Sequence, residues 1–271
     1  MLQAKDNRRN IENKKTENLR IGVIGIGEMG GTLARNWNAR GHNLRVANSR
    51  GPEAVKEFAA EIGAEAVDIY GAVEDADVVL IAIPFPAVAK LPKDLFNRAS
   101  ESVLIIDTSN FYPDARDPRI AIIDAGMMES VWISQQLGRP IIKSFNSILF
   151  HSLSELGRPE ASPGRLAIPV AGDDAQSKQI VMGLVNETGF DPVDGGSLEE
   201  SWRQQPSAPA YCCDYDAEKT REGIGAAVKG KAEKIRDNEW RENYGRLYAN
   251  KPTHAEAHAD VIAMNRSLNP M

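Results

Sequence analysis

A glycine-rich loop, Gly25-x-Gly27-x-x-Gly30, stands between a short apolar run and a pattern typical of a helix. In a strand–loop–helix unit, the first glycine permits a tight turn, the second lets the backbone approach a pyrophosphate, and the third lets the helix pack on the strand. Free N–H groups at the helix N-terminus would then bind the phosphates. The spacing alone is a weak signal, but this context predicts a dinucleotide site that includes Gly25, Ile26, Gly27, Glu28, Met29 and Gly30.

Glu28 is the unexpected residue of this loop, because it places a carboxylate where phosphates would lie. Two arrangements would keep its charge away from them: the side chain points to solvent, or it pairs with a basic residue such as Arg50. If it faced the pyrophosphate instead, the affinity for the dinucleotide would be lower. The sequence leaves these alternatives open.

The end of the second predicted strand indicates which dinucleotide is bound. NAD-binding proteins usually carry an acidic residue there, which accepts hydrogen bonds from the ribose hydroxyls. This chain has Asn48, Ser49 and Arg50. Ser49 can donate to a phosphate oxygen and Arg50 can pair with it through two N–H groups, whereas an acid would repel the 2′-phosphate. The three residues predict NADP rather than NAD, and the alternative for Arg50 is a solvated surface charge.

Two later loops are expected on the same edge of the sheet. Ile83, Pro84 and Phe85 follow the third strand, where a loop covers the nicotinamide half of the dinucleotide. Thr108 belongs to the polar run that ends the next strand. We therefore predict that these four residues bind the cofactor, with ordinary turn chemistry as the alternative.

A sheet with helices on both faces is needed to position these loops. Short apolar runs alternate with helical patterns over roughly the first 195 residues, and the run DVVLIAI (77–83) is typical of a strand buried on both faces. This succession predicts an α/β fold with a doubly wound Rossmann-type parallel sheet, whose last strands are expected at 166–171 and 190–193. We predict a disordered tail (1–18), an NADP-binding domain (19–196) and a small helical C-terminal unit (197–271) that holds the acceptor site or a dimer contact.

Composition restricts the partners of the chain. It has 271 residues and a formal net charge of -6, which argues against a nucleic acid or an anionic membrane, since both require a basic surface. No apolar stretch is long enough to span a bilayer, and the N-terminus lacks the apolar core of a secretory signal. The two cysteines, Cys212 and Cys213, are adjacent and are expected to be reduced thiols. These observations predict a cytoplasmic protein.

The sequence resembles the coenzyme F420-dependent NADP oxidoreductases over roughly residues 19–200. The segments that carry the resemblance follow one another in order, which makes them more specific than the glycine loop alone. They are GIGEMGGTLA (25–34), ANSR (47–50), IPFP (83–86), KSFNSI (143–148), PVAGDD (169–174) and PVDGGSL (192–198).

The resemblance implies hydride transfer between NADPH and a flat redox partner, either the deazaflavin coenzyme F420 or a flavin-like acceptor. It also implies that Ser49 and Arg50 hold the 2′-phosphate and that Phe145 and Asn146 lie near the nicotinamide. The chain departs from the family at Glu28, in its N-terminal tail, and in a longer segment after residue 200.

Direct hydride transfer needs no protein acid, base or nucleophile, and we name no catalytic residue. Asn146, Trp202 and Arg203 are candidates for binding the acceptor. The alternatives are core packing for Trp202 and a surface charge for Arg203. His254 and His258 have the i, i+4 spacing of some zinc sites. Glu256 does not stand next to the first of them as in zinc peptidases, and we predict no metal.

Two other functions remain possible. A NADPH-binding sensor or scaffold would have the same cofactor site without chemistry. A reductase of a small carbon substrate, similar to β-hydroxyacid dehydrogenases, would share the glycine loop. However, only about 75 residues follow the predicted sheet, too few for the large helical domain of those enzymes, and Lys143 is predicted in a strand. Apolar faces on the C-terminal helices predict a homodimer.

Overall fold

A parallel six-stranded sheet forms the centre of the protein in a computed structural model, which describes residues 18–240, 242–243 and 253–271. Its strands are β1 (Arg20–Ile24), β2 (Asn43–Ala47), β3 (Glu65–Ala66), β4 (Val78–Ile81), β5 (Leu104–Asp107) and β6 (Ile142–Lys143). They lie in the order β3-β2-β1-β4-β5-β6, and each neighbouring pair is parallel. The predicted doubly wound Rossmann-type fold is confirmed. From β1 the sheet grows in one direction through β2 and β3, and in the other through β4, β5 and β6. Sheets of this type bind ligands at the carboxyl ends of the strands where the direction of growth changes, here beside β1.

Helices flank the sheet and continue to the C-terminus. Those with described bounds are α1 (Glu28–Ala39), α2 (Lys56–Ile62), α3 (Ile69–Val73), α4 (Ala121–Asp124), α5 (Glu129–Leu137), α6 (Phe150–Glu155), α7 (Ala175–Glu187), α8 (Ala217–Ala226), α9 (Lys231–Ile235) and α10 (His254–Leu268). Turns of 3-10 helix span Pro52–Val55, Phe85–Lys90 and Leu198–Gln204, and a π-helical turn spans Arg236–Trp240. Within the described ranges, no helix has the length and apolar character needed to cross a membrane.

Strand β4 shows how the sheet divides the core into two parts. All four of its residues are buried, and successive side chains of a strand point to opposite faces. Val78 and Leu80 belong to the apolar cluster around Trp37 of α1, whereas Val79 and Ile81 belong to the cluster on the α5 side. A continuous apolar run is required at β4 because helices cover both of its faces.

The last two predicted strands are present, but they do not join the main sheet. β7 (Ala167–Val170) and β8 (Asp191–Asp194) pair in parallel as a separate two-stranded sheet. The segment after β7 meets β6 in an antiparallel bridge, in which the Lys143 N–H donates to the Ala171 carbonyl at 2.8 Å and the Ala171 N–H donates back at 2.9 Å. The expectation that these strands continue the parallel sheet was wrong, because β6 has only two residues and its next partner runs in the opposite direction.

The C-terminal region is helical, as predicted, and α10 packs back on the segment that precedes α8. Asn265 and Arg266 donate to the carbonyl groups of Cys212 and Cys213, at 3.0 and 2.9 Å. Both cysteines are buried free thiols, and burial raises the pKa of each.

The predicted domain boundaries stay predictions. Apart from Asn18, the predicted tail at 1–18 lies outside the described residues. No observation tests the division of the remaining chain into 19–196 and 197–271.

Candidate functional site

The glycine loop connects β1 to α1, and two of its glycines are required by the local backbone. Gly25 has a φ of +101°, and a Cβ at this position would lie 2.3 Å from the carbonyl oxygen of Ala82. A Cβ at Gly30 would lie 1.9 Å from the carbonyl oxygen of Gly25. Ile26 lies between them and packs against the core cluster on the α1 side. These three residues shape the turn.

Gly27 faces open space instead. A Cβ built at this position has no atom within 4 Å. Gly27 is also the N-cap of α1 and has no side chain to occupy the first N–H groups of the helix. The N-terminus of α1 therefore presents its N–H groups to the crevice, an arrangement that suits a phosphate.

A cavity of about 590 Å³ lies beside the loop, at the carboxyl ends of β1, β4 and β5. Its volume is in the range of small-molecule sites. Six predicted cofactor residues meet in its wall: Gly27, Glu28, Met29, Ile83, Pro84 and Thr108. The wall is completed by Ala82, Ser109, Asn110, Tyr112, Ala115, Arg116 and Trp240.

The far wall of the cavity is aromatic and cationic, and it was missed in the sequence. The rings of Tyr112 and Trp240 stack with centroids 4.9 Å apart, and the Arg116 guanidinium lies over the Tyr112 ring at 4.9 Å. The Tyr112 hydroxyl is hydrogen-bonded to that of Tyr211, and burial raises the pKa of Tyr112. Tyr112 and Arg116 follow within six residues of the polar run that contains Thr108, and this nearness could have found them.

The predicted 2′-phosphate residues occupy a turn directly after β2. The Asn48 side chain accepts a hydrogen bond from the Arg50 N–H at 2.8 Å, which fixes the turn. Ser49 and Arg50 are both exposed. The Gly25 N–H donates to the Ala47 carbonyl at 2.9 Å, so this turn begins next to the glycine loop.

Two aromatic residues expected to contact the cofactor point into the core instead. Phe85 is fully buried and stacks on Trp132, with ring centroids 4.9 Å apart. Phe145 has a φ of +60° and directs its buried ring against Trp37, at 5.8 Å. Each ring fills space between the sheet and a helix, and the cofactor contact predicted for Phe85 and Phe145 stays a prediction.

Asn146 lies one step behind the cavity wall. Its amide donates to the Asn110 side chain at 3.1 Å and to the Gln204 carbonyl at 2.9 Å, and its carbonyl oxygen accepts from the Gln204 amide at 2.9 Å. The Asn110 amide donates to the Asn146 backbone carbonyl at 2.8 Å. Asn146 is 3% exposed, and its hydrogen bonds orient Asn110, which lines the cavity. Its own contact with a ligand stays a prediction.

Trp202 and Arg203 do not line the cavity. Trp202 is buried, and Arg203 covers its ring at 4.5 Å while donating to the Ile224 carbonyl at 3.2 Å. Both residues pack within the C-terminal region, and their contact with the acceptor stays a prediction.

The partner of the Glu28 carboxylate is His254 and not Arg50. Its Oε1 lies 3.2 Å from Nε2 of His254, the first residue of α10. His258 binds elsewhere: its Nε2 lies 2.9 Å from the Asp214 carboxylate and 2.9 Å from the Ser152 hydroxyl. In the ranges that the structure covers, no three His, Cys, Asp or Glu side chains are grouped to hold a metal ion.

A buried ion pair supports the floor of the cavity. The Lys143 ammonium donates to the Asp107 carboxylate at 2.6 Å and to the carbonyl of Ser109, a cavity residue. Lys143 and Asp107 are 2% and 0% exposed. Because both charges are desolvated and paired, this lysine holds the loop after β5 in place and does not reach the cavity.

A second buried pair ties the π-helical turn to the start of α5. The Arg236 guanidinium donates to the Glu129 carboxylate at 2.8 Å. Burial raises the pKa of Glu129 to about 7 in spite of this partner. Since the turn that starts at Arg236 ends at Trp240, this pair positions the aromatic wall.

Comparison with known proteins identifies the family. The family model described as NADP oxidoreductase, coenzyme F420-dependent, matches residues 20–111. The protein YjhV of Escherichia coli strain K12 is 47% identical over 113 residues, which are 41% of this chain and 77% of YjhV. The chain belongs to the coenzyme F420-dependent NADP oxidoreductase family. The match ends at Phe111, so it includes the glycine loop and β5 but not the aromatic and cationic wall.

Solved structures agree with this fold. The hypothetical protein SMa0349 of Sinorhizobium meliloti is 26% identical, with a TM-score of 0.58 over 72% of this chain and 93% of that one. A candidate F420-dependent NADP reductase from Arthrobacter sp. FB24 is 18% identical, with a TM-score of 0.54 over 69% of this chain and 88% of that one. At this identity, the second likeness supports the Rossmann-type fold alone.

Proposed function

We propose that the chain transfers hydride between NADPH and a planar acceptor of the deazaflavin or flavin type. The observation that carries this proposal is one cavity with two unlike walls. One wall is the glycine loop and the start of α1, and the other is formed by Tyr112, Arg116 and Trp240. A dinucleotide and a flat ring system can meet between them.

The cofactor half of the proposal rests on charge and on open backbone. Gly27 leaves space for a pyrophosphate at the N-terminus of α1. The three residues directly after β2 include no acid, and the exposed Ser49 and Arg50 among them offer donors to a 2′-phosphate. These residues favour NADP over NAD, because an additional phosphate would meet a cation instead of a carboxylate.

The acceptor half rests on the aromatic wall. The indole of Trp240 and the phenol of Tyr112 provide apolar ring surface, and the half-exposed Arg116 provides a positive charge for an acidic substituent. When bound, NADPH supplies a hydride, which the acceptor takes together with one proton from solvent. The side chains described here would align the two rings and exclude water, which is the main requirement of such a transfer.

The test is turnover of NADPH with a panel of deazaflavin, flavin, quinone and ferric acceptors. The loss of NADPH absorbance measures this turnover. We expect reduction of a deazaflavin or a flavin. Trp240→Ala should raise the KM for that acceptor about tenfold while leaving the Kd for NADPH unchanged, since base–aromatic stacking is worth about 1–3 kcal/mol. Trp240→Phe, which keeps a ring, is the matched control. Equal effects of both variants would contradict the stacking role.

The other functions become outcomes of the same test. Tight NADPH binding without reduction of any acceptor would favour a sensor or scaffold. Turnover of a small hydroxyacid would favour the dehydrogenase alternative, but the buried and paired Lys143 gives that alternative no support.

We further propose a cytoplasmic homodimer. The chain itself buries Ala257, Val261 and Ile262 of α10, so the support is the exposed Val228 between α8 and α9. Light scattering at micromolar concentration tests the assembly. A monomer under those conditions would contradict it.

A further inference from the structure

Glu28 poses an electrostatic problem for any anionic ligand of the glycine loop. It is the first residue of α1 and lines the cavity next to Gly27. Its side chain is about half exposed, at 56%. A carboxylate free to turn toward the crevice would stand beside bound phosphates and repel them.

The partner of Glu28 comes from the other end of the chain. His254 Nε2 approaches Glu28 Oε1 to 3.2 Å, and the His254 ring meets the edge of the Phe150 ring at 5.6 Å. A capping box fixes the start of α10, in which the Thr253 hydroxyl accepts from the Glu256 N–H at 3.2 Å and Glu256 accepts from the Thr253 N–H at 3.2 Å. The backbone that carries His254 is thus held at the point where it meets the loop.

The rest of α10 is also anchored. His258, one turn along, contacts Asp214 and Ser152. Arg266, near the other end, donates to the carbonyl groups of Cys213 and Asp214. Because the helix is tied at both ends, the imidazole of His254 stands at a defined place above the glycine loop.

We propose that His254 is a positioning residue for the cofactor, which holds the Glu28 carboxylate on the α10 side and away from the phosphates. The inference rests on the proposed binding of NADP(H). The imidazole can donate an N–H to the carboxylate whether the ring is neutral or positively charged, since the neutral ring also keeps one donor. The C-terminal helix thereby contributes to the affinity of a site built by the first strand, the loop and α1.

A double-mutant cycle tests the inference, with the Kd for NADPH as the readout. His254→Ala should raise that Kd about threefold, the size expected for a half-exposed pair. In the Glu28→Gln background the same change should have almost no effect, because no carboxylate is left to control. His254→Gln, which keeps a side-chain N–H donor, should restore most of the affinity.

Controls separate this role from the stability of α10. Ser267→Ala lies on the exposed face of the same helix and should leave the Kd unchanged. Thermal unfolding of each variant reports on the fold. An equal rise in Kd on His254→Ala with and without the Glu28 carboxylate, or no rise at all, would overturn the inference while leaving the proposed function intact. A wild-type chain that does not bind NADPH would overturn the proposed function, and the inference with it.

Discussion

Gly27 and Gly30 allow the same substitution to test binding and folding separately. A Cβ at Gly27 meets no atom within 4 Å, and the residue has φ of -67° and ψ of -168°, which alanine adopts readily. Gly27→Ala should therefore change the free energy of unfolding by less than about 1 kcal/mol, mainly through the poorer N-cap. The added methyl group occupies the space proposed for the pyrophosphate, and we expect the Kd for NADPH to rise at least about tenfold, or about 1.4 kcal/mol.

Gly30→Ala should have the opposite profile. Its Cβ would lie 1.9 Å from the Gly25 carbonyl oxygen and 2.9 Å from the Ala82 Cβ, so backbone must move. Overpacking of this kind costs about 3 kcal/mol, and the better helix propensity of alanine returns about 1 kcal/mol. The net loss of about 2 kcal/mol corresponds to a Tm lower by roughly 4–8 °C for a chain of this size.

The assay compares urea unfolding without ligand with NADPH titration for both variants and the wild type. The reasoning predicts a crossover, in which one variant loses affinity and the other loses stability. If Gly27→Ala is as unstable as Gly30→Ala, a methyl group at position 27 meets other atoms in solution, contrary to the structure. If Gly27→Ala binds NADPH like the wild type, the pyrophosphate does not lie there.

Three further substitutions test the cofactor preference, a titrating pair and the core. Arg50→Ala should weaken NADPH binding about tenfold and leave NADH binding unchanged, since a charge-assisted pair contributes about 1.5 kcal/mol; equal losses for both dinucleotides would contradict the 2′-phosphate role. The pKa of Glu129 is about 7 in the fold against an ordinary 4.5. Its protonation therefore contributes fully to the free energy of unfolding below about pH 4.5, and this contribution is lost as the pH rises through 7. Glu129→Gln should remove that part of the pH dependence in urea unfolding between pH 5 and 8, and an unchanged slope would show that another group titrates. Phe85→Ala should lower the free energy of unfolding by about 3–5 kcal/mol because the ring is fully buried against Trp132; a loss near zero would mean that the loop after β4 repacks.

Most of the fold could be predicted because its signals are local. The spacing of Gly25, Gly27 and Gly30 identified the first turn, and continuous apolar runs identified β1, β4 and β5. The sheet edge could not be predicted in the same way. Whether β7 joins β6 depends on the two-residue length of β6 and on the direction in which Ala171 meets Lys143, and the apolar runs predict neither.

The site could be predicted only in part, for a related reason. Loop residues such as Phe85 and Phe145 come close to the carboxyl edge, but the sequence does not tell which way a side chain leaves a turn. The positive φ of Phe145 sends its ring toward Trp37. Trp240 and the His254 partner of Glu28 reach the site through the return of the C-terminal region, and such contacts leave no spacing that can be recognised in the sequence.

The two walls of the cavity depend on parts of the chain that are made at different times. The backbone of the proposed nucleotide wall forms once β1 to β5 have paired, whereas Trp240 joins Tyr112, and His254 joins Glu28, only after nearly the whole chain is present. Any molecule that touches Trp240 therefore stabilises the end of the polypeptide more than its beginning. If the proposed function holds, a newly synthesised chain would acquire the backbone of its nucleotide site first and its acceptor wall last, and partial opening of the C-terminal region would release the acceptor and weaken NADPH binding through loss of the His254 contact.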